Sequence, residues 1–239
     1  QNMNSKVKIW GLGIGPGDPD LITLKALKIL QKVDVIAYPT LNGGESLVRS
    51  IAEPHFITNQ EEIKISIPML IDRYPAQDIY DAAALKISLA VEAGKSVAIL
   101  CEGDPFFYGS FMYLFVRLAE EHLVEVVPGV TSLAACSSAL ALPLAARNDV
   151  ISVIPGPLDE EALEEQLRTT NVAAIIKVGR HLGKIKRILR KIGVIDNAHY
   201  IERATMGDQK IKRLSELEDD NAPYFSMIIV RLSGEILEL

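Results

Sequence analysis

The sequence predicts an α/β protein of two domains: an N-terminal domain on a parallel sheet and a C-terminal domain on a mixed sheet. Three observations predict it. Apolar runs of strand length alternate with segments of helical periodicity along most of the chain. Loops rich in glycine and proline follow several of those runs. Two late runs, Gln209 to Leu214 and Phe225 to Leu232, are joined only by a short acidic connection, which favours antiparallel pairing over a helical crossover.

Lys6 to Leu12 reads as a buried strand. Gly11, Gly13, Gly15 and Gly17, with Pro16 and Pro19, then make a loop that regular structure cannot cross. Asp18 and Asp20 offer N-caps for a helix carrying Leu24, Leu27 and Leu30, and Val33 to Tyr38 is a second strand. Ile79, Ala83, Ile87 and Ala90 recur at helical spacing, Gly94 supplies a left-handed stop, and Ser96 to Leu100 follows as a strand. Val124 to Val127 and a small-residue helix from Ser132 to Leu142 complete residues 1–142. Residues 143–239, opening at Pro143 to Asp149, repeat the alternation: a strand at Val150 to Ile154, a helix over Glu160 to Leu167, a strand at Val172 to Val178, a basic helix closing at Gly193, and a strand at His199 to Arg203. The cleft between the domains is the expected place for a ligand.

At 239 residues and 49% hydrophobic composition the chain can bury a substantial core. No stretch approaches the roughly 20 apolar residues that cross a bilayer, and no export leader precedes the first strand, so a cytoplasmic protein with no membrane partner is expected. Cys101 and Cys136 are too few for a disulfide framework or a metal cluster, and no metal is expected. The net charge of -6 is spread without a basic stripe, which argues against nucleic acid as a partner. Lys184, Lys186, Arg187, Arg190 and Lys191 read as a solvated helix face.

The first loop does not have dinucleotide spacing. A G-x-G-x-x-G motif starting at Gly11 meets Pro16 where glycine is needed, and one starting at Gly13 meets Asp18. No Gly-Lys-Ser/Thr is present for a P-loop. The second cluster, Cys101-Glu-Gly-Asp-Pro-Phe-Phe-Tyr-Gly109, stands at the C-terminal end of a strand, the edge where open α/β sheets bind ligands. Gly103 allows close backbone approach, Asp104 supplies a charge or an acceptor, and Pro105 stiffens the turn; an ordinary Asp-capped turn gives the same pattern. The third cluster, Pro128-Gly-Val-Thr-Ser132, offers Thr131 and Ser132 either to cap a helix or to bind a ligand.

Together these three loops resemble the signatures of the tetrapyrrole methylases, the class III S-adenosylmethionine-dependent methyltransferases, from about Lys6 to Leu232. Cys101 to Gly109, Leu142 to Asp149 and Glu202 to Gln209 resemble the branch that methylates precorrin-2, or its cobalt complex, at C20. The resemblance implies S-adenosylmethionine as methyl donor, S-adenosylhomocysteine as product, a tetrapyrrole partner and a homodimer, for which apolar segments such as Phe111 to Leu118 give some support. It further implies cofactor contacts at Pro16, Gly103, Asp104, Phe107, Thr131, Ser132, Val178 and Ala204. A reduced tetrapyrrole has a nucleophilic meso carbon, so positioning is the main requirement; a base for the displaced proton is offered by Asp104, Glu102 or Tyr108. Arg147, Lys177, Arg180, His181 and Arg203 are candidates for the substrate carboxylates. Other ring positions, uroporphyrinogen and the diphthamide-forming branch remain alternative activities.

Overall fold

The computed structural model describes residues 8–68 and 77–234, so the expected start of the first strand at Lys6 lies outside the described residues. The chain divides into two compact units, Gln1–Thr131 and Ser132–Leu239.

In the first unit β1 (Ile9–Gly13), β2 (Val35–Leu41), β3 (Glu61–Ile67), β4 (Val97–Cys101) and β5 (Val124–Val127) form a sheet of order β3-β2-β4-β1-β5. All its pairings are parallel, so the C-terminal ends of β4, β1 and β5 lie side by side. Ile9, Val35, Ala37, Val97 and Ile99 bury one face of the sheet under α3 (Gln77–Glu92) and α4 (Phe111–Leu118), which contribute Tyr80, Ala83 and Ile87, and Phe111, Leu114 and Leu118. Strand alternation sends Leu12, Ile36 and Leu100 to the other face, and all three are buried there.

Four sequence expectations change in this unit. The helix α1 (Leu24–Leu30) is capped by Thr23, whose Oγ1 accepts the N–H of Ala26, whereas Asp18 caps the separate 3-10 turn Pro19–Leu21. Three elements also stand where no element was expected, α2 (Leu47–Ala52), α4 and β3. The alternation Ile63, Ile65, Ile67 against Glu62, Lys64, Ser66 is the period-2 signal of β3.

The second unit has β6 (Ile151–Pro155), β7 (Val172–Ile176), β8 (Ala198–Glu202), β9 (Lys210–Arg213) and β10 (Ser226–Arg231) in the order β6-β7-β10-β8-β9, with α5 (Ser132–Leu140), α6 (Glu160–Arg168) and α7 (Leu182–Lys191). Only β6 and β7 pair in parallel; β10 is antiparallel to both β7 and β8, and β9 is antiparallel to β8. The mixed sheet is as expected, but the two late strands do not pair with each other. Burial decides this: Met227 to Val230 are almost fully buried and require a central position, while the basic Lys210-Ile-Lys-Arg213 suits an edge. The expected boundary at residue 143 also differs from the division between Thr131 and Ser132. Ala135 and Cys136 of α5 pack against Val172, Ala174, Ile201 and Met227, which makes α5 a layer of the second unit.

Lys186 departs from the expected solvated face. Leu182, Ile185, Ile188 and Leu189 drive one side of α7 into the core, and Lys186 goes with them at 4% exposure. Its ammonium donates to the carbonyls of Leu217 (3.0 Å) and Asp219 (2.6 Å) and pairs with Asp220 at 3.1 Å. These contacts tie the acidic connection to α7. Replacing a whole buried ion cluster with apolar groups is often tolerated, but removing one partner is not. Lys186→Met keeps the length and strands the carbonyls, so it should cost about 1–3 kcal/mol of stability in denaturant titration; an unchanged midpoint would show that the ammonium is not what holds the connection.

Candidate functional site

Three loops at the C-terminal ends of β1, β4 and β5 are fused through their backbones. Gly15 and Gly103 exchange two hydrogen bonds, Gly103 N–H to Gly15 O at 2.9 Å and Gly15 N–H to Gly103 O at 3.2 Å. Gly103 has φ +59°, a left-handed conformation that glycine adopts without a Cβ penalty. A Cβ on Gly129 would lie 2.1 Å from the Gly103 carbonyl oxygen and 2.8 Å from Gly13 Cα, so the three glycines form a junction that no other residue fits.

Asp104 locks this junction. Its Oδ1 accepts the N–H of Gly129 at 2.9 Å and its Oδ2 accepts the N–H of Phe106 at 3.0 Å. One oxygen therefore ties the β4 loop to the β5 loop, and the other closes its own turn. Pro16 follows directly on Gly15, and Thr131 stands two residues after Gly129, so the expected residues of the first unit converge on one sheet edge, while Ser132, next in sequence, opens α5 of the second unit. In the same turn Phe107 meets Tyr108 edge to face at 5.1 Å, and Tyr108 holds a left-handed φ of +56°. Strained non-glycine backbone of this kind concentrates at functional loops.

Glu102, between the end of β4 and Gly103, is half-buried and has no hydrogen-bond or ion-pair partner among the described residues. Burial alone raises its carboxyl from an ordinary 4.5 to about 7. The adjacent Cys101 thiol is pushed well above its usual value, by burial first and then by the charges of Glu102 and Asp104. Burial likewise pushes Cys136 up to about 12. Both thiols are packing residues, as the sequence suggests.

The second unit has its own concentrated edge. Lys177 follows β7 with φ +53°, and Arg203 and Thr205 follow β8 with φ +48° and +72°. Arg203 N–H donates to Phe225 O at 2.8 Å beside the start of β10. Thr205 is β-branched, and a left-handed φ is a true outlier for it; the Gln209 side chain accepts its N–H at 2.7 Å. Residue type gave no signal for this position. Val178 is 1% exposed and packs with Leu182 and Ile185, and Ala204 is 8% exposed, so at Val178 the side chain serves the core.

The five expected carboxylate binders do not form one group. Lys177, Arg180, His181 and Arg203 lie at or beyond the C-terminal ends of β7 and β8. Arg147 precedes β6, where Asp149 accepts both the Ala146 N–H (2.9 Å) and Arg231 Nη1 (3.0 Å). That is the opposite end of the same sheet, about 15 Å away over a five-residue strand. Arg203 pairs with Asp208 at 2.5 Å. Burial, then the nearby Lys184 and Arg180, hold His181 below its usual range, so at neutral pH it is a neutral hydrogen-bonding group and not a cation. Among the described residues no group of three or more His, Cys, Asp or Glu side chains is arranged to hold a metal ion, and no helix is long and apolar enough to cross a membrane.

A family model for Tetrapyrrole (Corrin/Porphyrin) Methylases matches residues 8–218. The chain belongs to the tetrapyrrole methylase family. Among relatives in this methylase family, a precorrin-2 C(20)-methyltransferase of Sinorhizobium sp is 43% identical over 231 residues, covering 93% of this chain and 94% of the relative. A cobalt-precorrin-2 C(20)-methyltransferase of Salmonella typhimurium is 32% identical over 97% of this chain and 99% of its own. The fold is that of a solved cobalt precorrin-4 methyltransferase, with a TM-score of 0.76, 26% identity and 97% of each chain covered. A uroporphyrin-III C-methyl transferase from Thermus thermophilus, solved with S-adenyl homocysteine, shares the fold at a TM-score of 0.68 and 24% identity, over 94% of this chain and 97% of that one.

The geometry makes Asp104 a clasp between methylase loops. Asp104→Asn keeps one accepting oxygen and turns an amide toward a backbone N–H. It should cost about 1–3 kcal/mol of stability by chemical denaturation; wild-type stability would show that the loops hold together without it.

Proposed function

We propose that this methylase transfers a methyl group from S-adenosylmethionine to C20 of precorrin-2 or cobalt-precorrin-2 in cobalamin biosynthesis. The observation that carries the reading is the 43% identity, across nearly the full length of both chains, to a precorrin-2 C(20)-methyltransferase. The fused loops support it physically. Gly103 and Pro16 present close-approach backbone, Phe107 presents an apolar face, and Thr131 and Ser132 present hydroxyls at one sheet edge; these groups fit a ligand with both polar and apolar parts.

When bound, the cofactor supplies an electrophilic methyl on a sulfonium. The chain's own task is then to bind, orient and exclude water. In this reading Pro16, Gly103, Phe107, Thr131 and Ser132 contact the cofactor, Asp104 fixes the loops that do so, and Val178 and Ala204 contribute backbone from the second unit. Lys177, Arg180 and Arg203 bind substrate carboxylates as cations, with His181 as a neutral donor. Arg147, at the other end of its sheet, stands outside this set.

We further infer a cytoplasmic homodimer. Its support is an apolar outer face on neighbouring helices: Leu85 (60% exposed) and Leu89 (55%) on α3, and Val116 (57%) with Met112 (39%) on α4. Sedimentation velocity at micromolar concentration should report the dimer mass, and a monomer alone would refute it.

Calorimetry should show one S-adenosylmethionine site per chain, with S-adenosylhomocysteine competing for it. Anaerobic incubation with precorrin-2 or its cobalt complex, followed by NMR of the product, should place the new methyl at C20. A methyl at another ring position would overturn the substrate reading, and no competing ligand binding would overturn the cofactor reading.

A further inference from the structure

We propose that Glu102 is the base that removes the meso proton after methyl transfer. The inference rests on the methylation reading above and assigns the one step in it that needs a proton acceptor. The π electrons of the meso carbon form the new C–CH3 bond while the S–CH3 bond breaks, its electron pair staying on sulfur. The meso carbon then carries both hydrogen and methyl. Its C–H bond breaks, the electron pair restores the conjugation, and the proton passes to a carboxylate, which becomes a carboxylic acid. No oxidant or metal enters the balance.

Geometry separates the three candidate acceptors of the β4 loop. Asp104 has both oxygens committed to backbone N–H groups, at 2.9 and 3.0 Å, so protonating it would open the loop junction at every turnover. Tyr108 is 46% exposed, and a phenol in its neutral form is a poor proton acceptor. Glu102 alone combines partial burial with a carboxylate that has no partner among the described residues.

A buried polar group without a partner stands at the same edge. Thr40 is 2% exposed, and its Oγ1 has no hydrogen-bond partner among the described residues. Ala37 of β2 pairs with Ile99 of β4, and three residues beyond each stand Thr40 and Glu102. Buried polar groups without partners are rare and call for a bound group to complete them. Thr40, buried and unpartnered at the level of the half-buried Glu102 and beside the fused glycine loops, marks a place for a polar ligand atom.

The electrostatics agree. Glu102 titrates at about 7 because burial disfavours its charge, and a base works best with a pKa near the operating pH. The groups around it add no cation. Cys101 is a buried thiol held protonated, Asp104 is turned to the backbone, and Gly13, Gly15 and Thr40 on the adjoining strands carry no charge.

The test uses the full-length protein, Glu102→Gln and Glu102→Asp. Wild type should bind S-adenosylmethionine and methylate precorrin-2 or its cobalt complex; if it does neither, the functional reading falls and takes this inference with it. Given wild-type turnover, Glu102→Gln should bind S-adenosylmethionine with unchanged affinity and lose roughly 10²–10⁴-fold in single-turnover rate, with partial recovery in Glu102→Asp. The wild-type rate should rise with pH to a plateau through about 7, and Glu102→Gln should lose that rise. Thermal unfolding gives a readout independent of turnover. The folded carboxyl titrates above its ordinary 4.5, so wild type should lose stability relative to Glu102→Gln as pH rises from about 4.5 to about 7, and the gap should then stay constant. A Glu102→Gln rate within tenfold of wild type, or a slower variant that keeps the wild-type pH profile, overturns the proposal.

Discussion

The Asp104 carboxylate and the Gly129 N–H stand 25 residues apart in sequence and meet at 2.9 Å. That contact holds the β4 loop against the β5 loop, while the paired hydrogen bonds of Gly15 and Gly103 hold it against the β1 loop. A parallel sheet leaves the C-terminal ends of its strands as loops with unpaired backbone groups, and such loops would ordinarily drift independently. Here three of them are welded by close glycine contacts and one carboxylate. Every proposed cofactor contact of the first unit hangs from this weld, so its rigidity sets how well the site is organised before any ligand arrives.

The weld also divides labour between two acidic residues that are nearly adjacent. Asp104 is satisfied by two backbone donors and serves the loop junction. Glu102, two residues earlier, has no donor and is half-desolvated, which leaves its proton affinity close to neutrality. Sequence proximity therefore says little about chemical role; the backbone N–H groups that hold Asp104 and the burial of Glu102 separate the two.

This is where reading the sequence succeeds and where it stops. Strand and helix alternation, the parallel and mixed sheets and the three loops were legible because they depend on local periodicity and on glycine and proline chemistry. The clasp was not, because nothing in Cys101 to Gly109 announces that Asp104 reaches Gly129. The burial of Lys186 was hidden for the same reason: a lysine among Lys184, Arg187 and Lys191 looks solvated until the carbonyls of residues 217 and 219 arrive from a distant segment. The separation of Arg147 from Lys177 and Arg203 required knowing strand direction, which charge alone does not encode. Pairing of β9 with β8, and not with β10, likewise followed from which strand had enough apolar surface to occupy the middle of a sheet.

The central place of β10 has a consequence for biogenesis. The first sheet is built from strands that end at Val127, so all its pairings become available early as the chain leaves the ribosome. In the second sheet β7 and β8 are neighbours only through β10, whose residues 226–231 come last of the strands among the described residues. Until that segment is in place, the edges of β7 and β8 that it pairs with lack their ladder partners, and unpaired edges invite wrong association. The first sheet can therefore close while the second still waits for residues 226–231.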